Sequence, residues 1–135
     1  MRHLALVALV LAATGCDAKV KQCNDFIRFV NAGAVSMAKT KGDRESPAFR
    51  QEIARRFRQL AADAGKLKVT DGRLRTLADG YRKLLVSLAD AADARLKAAE
   101  ARDEAKDATA RRTLSDLQRE EKAMVVEINE YCRGK

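Results

Sequence analysis

From residue 23 onward the apolar positions recur by threes and fours, and each such run predicts one amphipathic helix. Cys23, Phe26, Ile27, Val30, Ala34 and Met37 share a face, with Asn24, Asp25, Arg28 and Asn31 on the others. The charged, glycine-containing stretch Lys41 to Glu45 ends this helix. Ser46-Pro47 opens the next. A serine oxygen can accept from a free N–H of the first turn, and proline suits a first position whose N–H has no partner anyway. Phe49, Ile53, Phe57, Leu60, Ala64 and Leu67 form its stripe, and Gly65 to Gly72 interrupts the pattern. Thr70 or Asp71 then caps a third helix with Leu74, Leu77, Tyr81, Leu84, Leu88 and Ala91 inside. Tyr81 reads as a core residue with its hydroxyl at the edge.

Between Ala89 and Ala110 ten of 22 residues are alanine and ten are charged. Helix propensity is high there and side-chain bulk is low. The stretch reads as the far end of a helical hairpin that turns between Ala101 and Thr109; the alternative is one unbroken helix over 71–133. The last helix carries Leu114, Leu117, Met124, Val125, Ile128 and Tyr131 inward, and Gly134 marks its end.

The first residues follow a different pattern. Arg2 precedes an apolar run from Leu4 to Ala13, then Thr14, Gly15 and Cys16. Charged tip, short apolar segment and small residues are the order of a bacterial export signal. The run is far shorter than the ~20 residues that span a bilayer core. Ala13-Thr14-Gly15-Cys16 resembles the lipobox of bacterial lipoproteins. That resemblance implies transfer of a diacylglyceryl group, with acyl chains such as palmitate, to the Cys16 thiol and cleavage just before it. Ala13-Thr14-Gly15 also suits ordinary signal peptidase, which leaves a secreted form open. The implied organisation is a signal peptide over 1–15, a lipid-anchored tether over 16–22 and a helical domain over 23–135. The expected location is the cell envelope, facing the periplasm, with inner and outer membrane both open.

Charge and composition narrow the chemistry. Without residues 1–15 the chain keeps 26 basic and 19 acidic groups, net +7. This favours an anionic lipid, a cell-wall polymer or an acidic protein as partner. Export, few aromatics and no nucleic-acid motif argue against nucleic acid. The sole histidine, His3, falls within the signal. Histidine-based triads, metal sites and haem ligation are therefore not expected, and no cofactor is. Acidic pairs such as Asp90/Asp93 and Glu120/Glu121 read as solvated helix charge rather than a hydrolytic pair. Arg50, Arg55, Arg56 and Arg58 crowd the second helix. They read as a solvated exterior, and as the candidate partner-binding surface if one exists.

With Cys16 acylated, Cys23 and Cys132 remain. In an oxidising compartment that pair is most simply a disulfide; no Cys-x-x-Cys spacing suggests a redox couple, and two sulfurs without histidine make an incomplete zinc site. The expected fold, an all-α, up-down-up-down four-helix bundle, supports the bridge, because that topology brings both chain ends to one end. Lys19, Lys21, Arg133 and Lys135 would gather there beside the membrane. On length alone the hairpin tip would outreach the second helix by roughly 15 Å. The expected role is a non-enzymatic structural or partner-binding one, like that of small helical envelope lipoproteins. The alternative is a chaperone-like or stress-related periplasmic protein similar to the Spy-type chaperones, whose Leu-Thr-x-x-Gln motif is not found here.

Overall fold

The computed structural model describes residues 11–134, with side chains from residue 17. The basic tip of the signal, most of its apolar run and Lys135 lie outside the described residues. Four helices form: α1 Leu11–Ala38, α2 Pro47–Ala64, α3 Gly72–Glu100 and α4 Glu104–Cys132. Among the described residues there is no strand.

Local rules account for most of the boundaries. Ser46 accepts from the Phe49 N–H at 3.2 Å, with Pro47 at the first helical position. Of the two candidate caps of α3 it is Asp71 that accepts from Leu74 N–H, at 2.8 Å. α1 starts well before the expected Cys23. Ala18, Lys19, Lys21 and Gln22 favour helix and nothing after Gly15 interrupts it. The expected tether over 16–22 is therefore a helical extension of α1.

The hairpin turn is short. Arg102 stands in the left-handed region at φ 53°, and the Arg102 and Asp103 N–H groups donate to the carbonyls of Ala99 and Ala98. This is a Schellman ending, usually built on glycine. Asp103 then caps α4 by accepting from Lys106 N–H at 3.0 Å. One residue thus closes α3 and opens α4, and the unbroken-helix alternative is excluded.

α3 is the axis of the core. Leu74, Leu77, Tyr81, Leu84, Leu85 and Leu88 are all buried along it, followed by Ala89, Ala91, Ala92 and Ala98. Each fully buried leucine contributes about 1.5–3 kcal/mol relative to exposure. The partners of α3 change along its length. Near the cysteines, Phe26 of α1 meets Tyr81 edge-on, with ring centroids 5.9 Å apart, and Ile128 of α4 completes the cluster. Toward the hairpin turn, Ala54, Ala61 and Ala64 of α2 pack against it, and small side chains let the backbones approach closely. α1 packs through bulkier groups and touches its neighbours less intimately.

α1 and α2 approach closely where Gly33 faces Leu60. Gly33, not the expected Ala34, is buried there. A Cβ on Gly33 would sit 3.2 Å from Leu60 Cδ2, so the missing side chain makes room for α2. Cross-helix pairs fix the register: Arg73 with Glu127, Tyr81 with Glu121 and Arg95 with Asp107 between α3 and α4. Arg58 pairs with Asp93, and Arg56 with Ser36.

One expectation fails here. The tip does not outreach α2, because Arg50, in the first turn of α2, lines a cleft together with Arg102 and Asp103 of the turn. The length comparison assumed that α2 ends level with the start of α3 at the cysteine end. Instead, the segment after α2 (65–71) runs back along α1 to Gln22, whose side chain accepts from the Thr70 and Asp71 N–H groups at 2.8 and 3.2 Å. α2 is thereby set toward the turn.

Candidate functional site

At the cysteine end, Cys23 and Cys132 lie in disulfide pairing with their Cα atoms 5.6 Å apart, closing a separation of 109 residues. The geometry falls within the usual range for a bridge. Around it, Lys19 lies over the Tyr131 ring, 4.1 Å from its centroid, and the Tyr131 hydroxyl donates to Asp71 at 2.7 Å. Asp71 is held below the ordinary carboxylate range by the Leu74 N–H it caps and then by this hydroxyl. Lys21, Lys66 and Lys68 line a shallow recess beside α1. Cys16 lies on α1 seven residues before Cys23, roughly 10 Å along the axis at ~1.5 Å per residue.

The four arginines of α2 do not form one surface. Arg55 is exposed and pairs with Glu52 at 2.7 Å. Arg56 pairs with the same carboxylate and also donates to the Ser36 carbonyl at 3.1 Å, satisfying the end of α1. Hydrogen bonds from Arg55 and then Arg56 pull Glu52 down to about 2. Arg58 reaches α3 and pairs with Asp93 and Asp90. Arg50 departs from the expected solvated exterior. It is only 8% exposed, and its Nη2 donates to Glu45 at 2.6 Å.

Arg50 belongs to a chain of charges that ties three elements together. Glu45, just before α2, also accepts from Arg95 of α3 at 3.2 Å. Arg95 donates in turn to Asp107 of α4 at 3.3 Å, and Asp107 takes a further bond from Arg111 at 2.8 Å. Arg95 and Asp107 are 19% and 15% exposed, so their attraction is screened less than that of a surface pair. The Arg95 charge, followed by the Arg50 and Arg95 hydrogen bonds, lowers the Glu45 carboxyl. Beside this chain opens a cleft of about 610 Å³ between the start of α2 and the hairpin turn.

Sequence reasoning missed this cleft. Glu45 sits five residues before Arg50 and outside the helix, so no face rule joins them. Arg95 and Asp107 lie in the alanine and charge-rich stretch, where every charge reads as solvated. Two signals were available: Arg95 stands shortly before the expected turn and Asp107 within it, and Asp103-Glu104 reads as a helix start.

Comparison with protein-family models, with curated proteins and with solved structures finds no match to this chain. Among the described residues no helix is long and apolar enough to cross a membrane, and no three acidic, histidine or cysteine side chains group as a metal site would need.

Proposed function

We propose that this chain is a lipid-anchored protein of the bacterial envelope, an up-down-up-down helical bundle with a non-enzymatic, partner-binding or structural role. The observation that carries the reading is the cysteine end. A bridge-forming pair suits an oxidising compartment. It stands seven residues from the lipobox-type Cys16, with Lys19, Lys21, Lys66 and Lys68 gathered beside it. Basic groups next to an acyl chain supply the second attraction that stable membrane anchoring requires, ~1 kcal/mol for each one near anionic lipid. The opposed numbering of the cross-helix pairs supports the up-down order, which turns the charged cleft toward the periplasm.

The test is the intact mass of the protein extracted from membranes, with and without reduction. The expected mass is that of residues 16–135 plus acyl chains, rising on reduction by the hydrogens of two opened thiols. An unacylated chain that still carries residues 1–15 would overturn the anchor.

A further inference from the structure

The cleft at the hairpin turn leaves polar groups that the protein's own side chains do not match. Its carboxylates are largely committed: Glu45 to Arg50 and Arg95, and Asp107 to Arg95 and Arg111. Asp103 caps α4 and pairs with Lys106 at 3.2 Å. The lining itself is balanced, with Arg50, Arg102 and Arg111 against Asp103, Glu104 and Asp107.

Two cationic edges are left over. Arg102 makes no ion pair among the described residues, and its backbone conformation sets it at the cleft wall. Arg50 is buried, and its Nε–H is the one buried side-chain polar atom among the described residues that lacks a hydrogen-bond partner. Nε and Nη2 form one edge of the guanidinium, and Glu45 uses only Nη2. A buried donor without an acceptor is costly, about 1–3 kcal/mol, and more for a charged group. With Nη2 taken by Glu45, Nε is left for one oxygen of a carboxylate, whose second oxygen is free to meet another guanidinium.

The geometry points to this cleft as a binding site for the carboxylate of a small molecule, received by the Nε edge of Arg50 and the guanidinium of Arg102. With no excess positive charge in the lining, a planar monoanion is held more easily than a tetrahedral phosphate dianion. Alanines 98, 99 and 108 supply an apolar wall for the carbon skeleton beside the carboxylate. The site does not depend on how the chain is anchored.

The experiment follows the arginine Nε–Hε resonances of the full-length chain in detergent micelles while acetate, and separately inorganic phosphate, is added. The expected result is a saturable shift at Arg50 and Arg102 with acetate, with weaker binding of phosphate. Arg102→Gln, on an exposed residue, weakens acetate binding about tenfold, the loss expected for one charge-assisted pair. Arg50→Lys, which keeps the charge and removes the Nε edge, weakens it similarly while circular dichroism stays unchanged. Should Arg50→Lys fail to fold, Arg102→Gln decides the matter. Shifts that do not saturate, equal shifts at Arg55, tighter phosphate binding, or undiminished binding in Arg102→Gln would each overturn the assignment and leave the Arg50 edge to a water molecule.

Discussion

Arg102 holds a left-handed backbone at φ 53° without the freedom of glycine. For an L-residue that conformation costs roughly 1–2 kcal/mol. Glycine would remove the cost but regain flexibility in the unfolded chain worth ~0.4–1 kcal/mol. Arg102→Gly is therefore expected to stabilise the protein by about 0.5–1 kcal/mol, read as a higher urea midpoint at unchanged slope. A midpoint equal to or below the parent's would show that the turn holds no such strain. The same substitution removes a guanidinium from the cleft, so stability and carboxylate binding should move in opposite directions. Strain retained at a binding residue is a recurrent arrangement. Ser46 and Asp71 were readable as caps because capping depends on neighbours within three residues. Arg102 was not, since the turn it makes is normally announced by glycine.

At the scale of the helices, α1 and α2 divide the work of covering α3. α1 covers the cysteine half through Cys23, Phe26 and Val30, while α2 covers the other half through alanines, and the two meet at Gly33 and Leu60. Periodicity revealed all four helices and most of the buried faces, down to Tyr81. It could not reveal the offset of α2, which depends on the course of the segment 65–71 and on the Gln22 clamp 48 residues away. Because α1 packs less closely than α2, the Cys23–Cys132 bridge should matter most to α1. Replacing both cysteines by alanine is expected to cost up to ~4–5 kcal/mol on the chain-entropy view. Amide hydrogen exchange is the more telling measurement. Protection should fall first along residues 17–38 and last in the α2–α3 interface. Uniform loss through all four helices would mean that α1 is not the weakest element.

For the molecule as a whole, the carboxylates set the response to acid. Glu45, Glu52, Asp71 and Asp103 all titrate below their ordinary values, the glutamates drawn down by arginine partners and the aspartates first by the N–H groups they cap. Between their folded and unfolded values the unfolded chain binds more protons, so folding is favoured above about pH 5 and weakens as the pH falls toward 2. Thermal melts at constant salt should show a plateau near neutrality and a steady decline of Tm from about pH 5 to 2. A Tm that stays level down to pH 3 would mean these pairings contribute nothing to the fold. The charge balance was visible in the composition, but the pairings were not, since Arg58–Asp93 and Arg73–Glu127 depend on which faces the helices turn to one another.

The covalent link between Cys23 and Cys132 also has a mechanical side. Tension applied between Cys16 and the last described residue, Gly134, travels along α1 to Cys23, crosses the sulfurs to Cys132 and leaves through Arg133. Residues 24–131 lie outside that path. The domain can be pulled by both ends without being unravelled, and only a reductant puts its helices under load.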